Sequence, residues 1–359
     1  MKRLLFLLIV LLPLTVQAQS LKTENVILIT FDGMRWQEVF TGADSALIGN
    51  ELYVENPDDL RSRFWAADPA TRRQKLMPFF WSTIARQGQL YGDRLHGGKA
   101  NVTNHMWFSY PGYNEILTGF HDDRIDSNDK IPNPNVTVLE FVNEQDGFQG
   151  KVAAFGSWDT FPFIINEERS GVPVNAGFEP VAGDDLTPRE TFLNELQKEI
   201  PSPFGSVRLD AFTYHFARQY LEKHHPRLLY IAFGETDDFA HEGKYDAYLT
   251  SAHQTDAFIR GLWEWLQSND DYRDKTTLVI TTDHGRGTVD AWTSHGADVP
   301  GADQIWMAVL GPDTQALGEV NNGSQVYQNQ VAATVANLLG LDYHNQQPIG
   351  QPLETALPH

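Results

Sequence analysis

Asn25-Val26-Ile27-Leu28-Ile29-Thr30-Phe31-Asp32-Gly33 is an almost unbroken apolar run that ends on a carboxylate and a glycine. Its apolar residues do not alternate with polar ones, so it reads as a strand buried on both faces, as in a helix-covered parallel sheet. Two further runs repeat the pattern: Arg227–Phe233 (RLLYIAF), shortly before Asp237, and Thr276–Thr282 (TTLVITT), immediately before Asp283. Ligands of an open parallel sheet gather outside the carboxyl ends of its strands. Three carboxylates far apart in the chain are therefore expected in one crevice.

Helical patterns separate these strands. They are expected over about Lys75–Gln87, with Pro78 early in the run, from Gly112 to Leu117, and over Thr137–Gln145, Arg189–Glu199, Leu209–Lys223, Tyr245–Gln267 and Gln328–Leu339. Lys151–Phe155 and Ile305–Leu310 read as additional strands. Strands and helices in alternation predict an α/β fold, a doubly wound, mostly parallel sheet flanked by helices. A polar, Asp-rich stretch occupies Gly42–Thr71, and residues 156–205, rich in Pro, Gly and Asp, read as an inserted cap.

Lys2 and Arg3 precede the apolar stretch Leu4–Leu12, and Val16-Gln17-Ala18 offers a cleavage site, so residues 1–18 read as a secretory signal peptide. The expectation is a periplasmic or secreted protein of residues 19–359 with no stable membrane insertion. Loss of Lys2 and Arg3 takes the net charge from −20 to −22. Such a surface repels nucleic-acid polymers but still admits a small anion wherever bound cations reverse the local sign. The absence of cysteine excludes thiolate chemistry and a Cys-based zinc site.

Five fragments carry donors suited to a two-metal hydrolase: Asp32, Ser109, Asp237 with His241, Asp283 with His284, and His295. Asp237 and His241 are four residues apart, so on a helical turn they share a face; Thr236 reads as its N-cap, and Asp238 is an alternative ligand. Gly33 and Gly285 permit the sharp turns that let strand-end side chains converge. His295 lies in a Gly-, Asp- and Thr-rich loop, and catalytic zinc takes three protein ligands with one position open. Ser109 precedes Pro111 and Gly112 at the expected mouth of a helix, where free N–H groups favour an anion. A plain N-capping serine is the competing reading. Trp107, Phe108, Tyr110, Tyr113 and Trp158 form either a stacking slot or core.

The order and spacing of these fragments resemble the alkaline phosphatase superfamily, and within it the nucleotide pyrophosphatase/phosphodiesterase branch, from Val26 to about Leu353. Val26–Gly33 is similar to that family's first strand with its metal Asp. Ser109-Tyr110-Pro111-Gly112 through Leu117-Thr118-Gly119 is similar to its nucleophile segment. Asp237 to His241, Asp283-His284-Gly285 and Ser294-His295-Gly296 correspond to its remaining metal motifs. The resemblance implies an alkaline phosphatase-like fold, two zinc ions, and a catalytic Ser109. One ion would be held by Asp237, His241 and His295, the other by Asp32, Asp283, His284 and the Ser109 oxygen. The implied substrate is a small phosphate ester or nucleotide-like molecule. A phosphomonoesterase with the same metal site is the alternative, and an inactive metal-bound anion-binding module is the alternative of another class.

The sequence departs from the family pattern after the proline, where diesterases carry Asn and this chain has Gly112; Asn101, Asn104 or Asn114 are candidates to substitute. Asn104, Gly112 and Asn114 are accordingly the expected substrate contacts. No Arg follows Ser109, which leaves Arg286 or Lys99 as a phosphate clamp or as plain surface charges, and Tyr113 stands where sulfatases carry their arginine.

Overall fold

The computed structural model describes residues 21–321, 323 and 325–358, so the leader expected at residues 1–18 lies outside it. Eight strands form one sheet: β1 (Asn25–Phe31), β2 (Gln89–Tyr91), β3 (Val152–Gly156), β4 (Val174–Ala176), β5 (Leu228–Phe233), β6 (Thr276–Thr282), β7 (Met307–Leu310) and β8 (Gly318–Glu319). Their spatial order is β4-β3-β5-β1-β6-β7-β2-β8. The five strands from β4 to β6 are mutually parallel. β7 runs antiparallel to both β6 and β2. The expected mostly parallel α/β sheet is what forms.

Both faces of the sheet are covered. Ile27, Ile29 and Phe31 of β1 enter one hydrophobic core, while Val26 and Leu28 enter the other. This is why the strand sequence does not alternate: with no solvent face, polar residues have no favourable place along it. Register then does the work that matters for function. Phe31 pairs with Phe233 on one side and with Thr282 on the other. Asp32, Gly234 and Asp283 therefore leave the sheet at one level.

Five helices position the site: α1 (Ser109–Thr118), α2 (Asp210–His224), α3 (Glu235–His241), α4 (Tyr245–Ser268) and α5 (Val331–Leu338). Among the described residues no helix is long and apolar enough to cross a membrane. The helix expected over Lys75–Gln87 is different in the structure: one helix spans Pro69–Leu76, stops at Met77, and a π-helical turn follows at Phe80–Ile84. Pro78 explains the break, because its ring forces the preceding residue out of the helical region, and Met77 has φ −127° and ψ 75°. In residues 156–205, expected as a cap, β4 extends the main sheet and the helix Pro188–Glu199, opened by a Thr187–Glu190 capping box, packs beside α2.

Candidate metal centre

Asp32 and Asp283 emerge side by side because their strands are paired in register. The Gly33 N–H donates to Asp283 Oδ1 at 3.0 Å, and the Tyr113 hydroxyl donates to Asp32 Oδ2 at 2.8 Å. The remaining oxygens, Asp32 Oδ1 and Asp283 Oδ2, are buried without a hydrogen-bond partner. Each lies 3.5 Å from His284 Nε2. His284 Nδ1 faces the Gly285 carbonyl at 2.9 Å, which assigns the proton to Nδ1 and turns the Nε2 lone pair into the cluster. Ser109 Oγ is 3.5 Å from the same nitrogen.

A second group adjoins the first. Asp237 and His241 project from α3 one turn apart, with His241 Nε2 3.1 Å from Asp237 Oδ2. His295 Nε2 is 2.9 Å from His241 Nε2 and 3.8 Å from Asp237 Oδ1, and His295 Nδ1 is again buried and unpartnered. His284 Nε2 stands 3.8 Å from Asp237 Oδ1, so the groups share a boundary. Gly33 makes this crowding possible: it has φ +56°, and a Cβ there would lie 2.5 Å from Asp237 Oδ1.

The electrostatics follow from crowding like charges in a dry place. Burial, then the neighbouring Asp237, pushes Asp32 well above the usual carboxylate range. Burial, then Asp32, does the same to Asp283. Burial would raise Asp237 too, but the Arg286 guanidinium beside it wins and holds it low. Burial, aided by His284, keeps His295 neutral by lowering it to about 2. Unpaired carboxylate oxygens and imidazole lone pairs facing one another are costly unless cations lie between them. The residues form adjoining candidate groups for divalent metal ions, Asp32, Asp283 and His284 in one and Asp237, His284 and His295 in the other.

A cavity of about 220 Å³ opens over Ser109, bordered by Asn128, Trp158, Ser206, Val207 and Asp238; no described lysine or arginine lines it. Of the five aromatic residues considered for a stacking slot, Trp158 alone borders this cavity. Tyr113 is instead buried as the anchor of Asp32, and the Tyr110 hydroxyl donates to the Ile131 carbonyl at 2.6 Å. Thr236 does not cap α3, whose N-cap is Gly234; its hydroxyl donates to the Asp32 carbonyl at 2.5 Å.

The expected substrate contacts are placed elsewhere. Asn104 Oδ1 accepts from the Met106 and Trp107 N–H groups while its Nδ2 donates to Glu115. Asn114 donates to the Phe120 carbonyl and accepts from Asn133 and Asn135. Asn101 is occupied by Arg94 and Asp303. Gly112 has no room for a side chain, since a Cβ would sit 2.4 Å from the Asp283 carbonyl oxygen. Neither is Arg286 a surface charge or a clamp: it is buried, ion-paired with Asp237, and donates to the Trp292 and Thr293 carbonyls.

Asn128 also borders the cavity over Ser109. Its Oδ1 accepts the Tyr110 N–H at 3.0 Å, which orients the amide, and among the described residues no acceptor meets its Nδ2. Asp126-Ser127-Asn128-Asp129 reads as an ordinary polar turn, so no local signal points to it.

Residues 46–338 match the family described as type I phosphodiesterase / nucleotide pyrophosphatase. No curated protein sequence matches the chain. Among solved structures, wild-type alkaline phosphatase PafA is similar with TM-score 0.61 and 9% identity, over 95% of this chain and 99% of that one. A putative sulfatase from Bacteroides thetaiotaomicron has TM-score 0.59 and 13% identity, over 93% of this chain and 74% of that one. The lipoteichoic acid synthase LtaP from Listeria monocytogenes has TM-score 0.55 and 13% identity, over 90% and 73%. At these identities the likeness is one of fold.

Proposed function

Since the chain belongs to the type I phosphodiesterase / nucleotide pyrophosphatase family, we propose that it is an exported, dizinc phosphodiesterase with Ser109 as nucleophile. One observation carries this reading: buried, unpartnered carboxylate oxygens on Asp32 and Asp283 each lie 3.5 Å from His284 Nε2, which is itself 3.5 Å from Ser109 Oγ. Asp237, His241 and His295 would hold one ion, and Asp32, Asp283, His284 and Ser109 the other. When bound, such ions lower the pKa of a serine hydroxyl and carry the charge of a departing oxygen.

The chain's own groups do the rest. Ser109 Oγ forms a bond to phosphorus as the bond to the leaving alcohol breaks, giving a phosphoseryl intermediate that water then hydrolyses. The Asn128 Nδ2 donates to a non-bridging oxygen of the phosphoryl group, and Trp158 offers a face to an aromatic or sugar substituent. Tyr113 and Gly33 fix the two carboxylates, and His295, kept neutral by burial, needs no proton released before it ligates. Preference for a diester rests on the cavity lining. A monoester dianion brings one more negative charge, and among the described residues no lysine or arginine lines the cavity to receive it.

The test is a parallel assay of the zinc-loaded protein on bis-nitrophenyl phosphate, nitrophenyl phosphate and nitrophenyl sulfate, with Ser109→Ala as control. Diester turnover is expected to be fastest and to fall by about four orders of magnitude in the variant. Faster monoester turnover would make the protein a phosphomonoesterase. A Ser109→Ala protein that matches wild type would remove Ser109 from the chemistry, and binding of phosphate without turnover would leave an anion-binding module.

A further inference from the structure

Glu115 lies in α1 and is completely buried. Among the described residues its side chain is met by Thr103 and Asn104 and by no cationic group. Its Oε1 accepts the Thr103 N–H at 2.8 Å and the Thr103 hydroxyl at 2.9 Å. Its Oε2 accepts the Asn104 N–H and the Asn104 Nδ2, both at 2.9 Å. Every partner is a donor, so the position needs a group that only accepts.

The consequence runs along the chain toward Ser109. With Nδ2 committed to Glu115, Asn104 must turn Oδ1 the other way, where it accepts the N–H groups of Met106 at 3.1 Å and Trp107 at 2.9 Å. The Trp107 indole N–H closes the same turn onto the Asn104 carbonyl at 3.0 Å. Trp107 has φ +54°, a left-handed conformation rarely adopted by a bulky side chain. Such strain persists only where surrounding contacts over-determine it. Two residues later Ser109 begins α1, and the Trp107 carbonyl accepts the N–H of Gly296, next to His295, at 3.0 Å.

We propose that Glu115 is a positioning residue: through Asn104 it fixes the left-handed turn at Trp107 that sets Ser109 in place and holds the His295 loop. The inference rests on the reading of Ser109 as nucleophile and His295 as metal ligand. Segment 103–108 is closed into a ring, tied to α1 by Glu115 at one end and continuous with α1 at Ser109 at the other. One carboxylate thereby governs the nucleophile, which is also a ligand of one ion, and the loop that carries His295, a ligand of the other.

The test is Glu115→Gln in the full-length protein, which sets an amide donor against backbone N–H groups. Two readouts are taken: kcat and KM for bis-nitrophenyl phosphate, and the two zinc affinities by chelator competition. We expect kcat to fall about 100-fold with KM little changed, as for a nucleophile misplaced by about 1 Å. The affinity of the ion held by His295 should weaken most, and that of the ion held by Ser109 should weaken less, because Asp32, Asp283 and His284 stay in place. Trp107→Gly, which takes the turn without strain, should make the loss from Glu115→Gln smaller than in the wild-type background. Unchanged kcat and zinc affinities, an equal fall of both affinities with the melting temperature, or strictly additive losses would each overturn the proposal. If Glu115→Gln does not fold, Asn104→Ala carries the same readouts. If the wild type turns over no ester, the functional reading fails while the pair of zinc affinities still decides the role of Glu115.

Discussion

Among the described residues, clusters of carboxylate and imidazole stand in two places, one beneath Ser109 and one at the sheet edge where Asp93, His96 and Glu319 meet. Their residue types are the same, and their states are opposite. At the edge every group has its partner: Arg73 reaches Glu319 at 2.8 Å, His96 meets Asp93 at 2.5 Å, and Asp93 also accepts the Leu95 N–H at 3.1 Å. Beneath Ser109, Asp32 Oδ1, Asp283 Oδ2 and His295 Nδ1 have none and are buried. Unmet donor capacity in a dry site, rather than the presence of Asp and His, is what marks a place for cations.

Removing divalent ions should separate the two clusters most widely. Saturating zinc, at about 1,000 times its Kd, adds about 4 kcal/mol of stability per ion, and chelation should remove this along with activity. The sign with pH is specific. Asp32 and Asp283 are raised in the metal-free fold, so their contribution favours folding at low pH and is lost as pH rises through the raised values. Zinc needs those same groups deprotonated. Melting curves with and without zinc should therefore diverge as pH increases from 5 to 8, and a gap that narrows over this range would break the contrast.

A smaller effect distinguishes the cations already present. Arg286→Met leaves Asp237 buried without its counter-charge and should cost about 3 kcal/mol in the metal-free protein. Glu319→Gln, which weakens the pair with Arg73 at the partly exposed edge, should cost less than about 1 kcal/mol and leave turnover unchanged. Chemical denaturation of the two variants, with and without zinc, measures both. Equal costs would mean that the clusters differ less than their hydrogen bonds indicate.

The smallest expected effect is at His96. The Asp93 hydrogen bond raises its pKa above 6.5, so the stability it contributes is present below that pH and is lost as pH rises through the raised folded value. Titration of His96 by NMR should show the upward shift, and His96→Ala should erase only that slight slope. A His96 resonance that moves when zinc is added would make the edge cluster a metal site and overturn the distinction.

The candidate metal ligands that the fold brings together were legible because they sit on local signals: Asp32 and Asp283 at the ends of buried runs, and His241 one helical turn after Asp237. Ser109 was legible by its motif and its place before a helix. Asn128, Tyr113 and Arg286 were not assigned these roles, since each acts on a residue brought close by folding. Arg286 in particular reads as a surface charge until the loop through Trp292 and Thr293 closes over it. The helix boundary at Met77 was foreseeable from Pro78, whose effect on the residue before it outweighs the helical pattern.

By itself the sequence determined the class of fold and the kinds of donor atom, because strand burial and helical periodicity are properties of neighbouring residues. Tertiary structure alone decided how those donors meet. The pairing of Phe31 with Phe233 and Thr282 sets three loops at one level, and the closeness of the Asp283 backbone leaves no side chain room at Gly112. The same packing leaves Asn128 on the border of the cavity. Spacing along a chain carries no record of such contacts, because which surfaces touch is settled only when the sheet and its helices pack together.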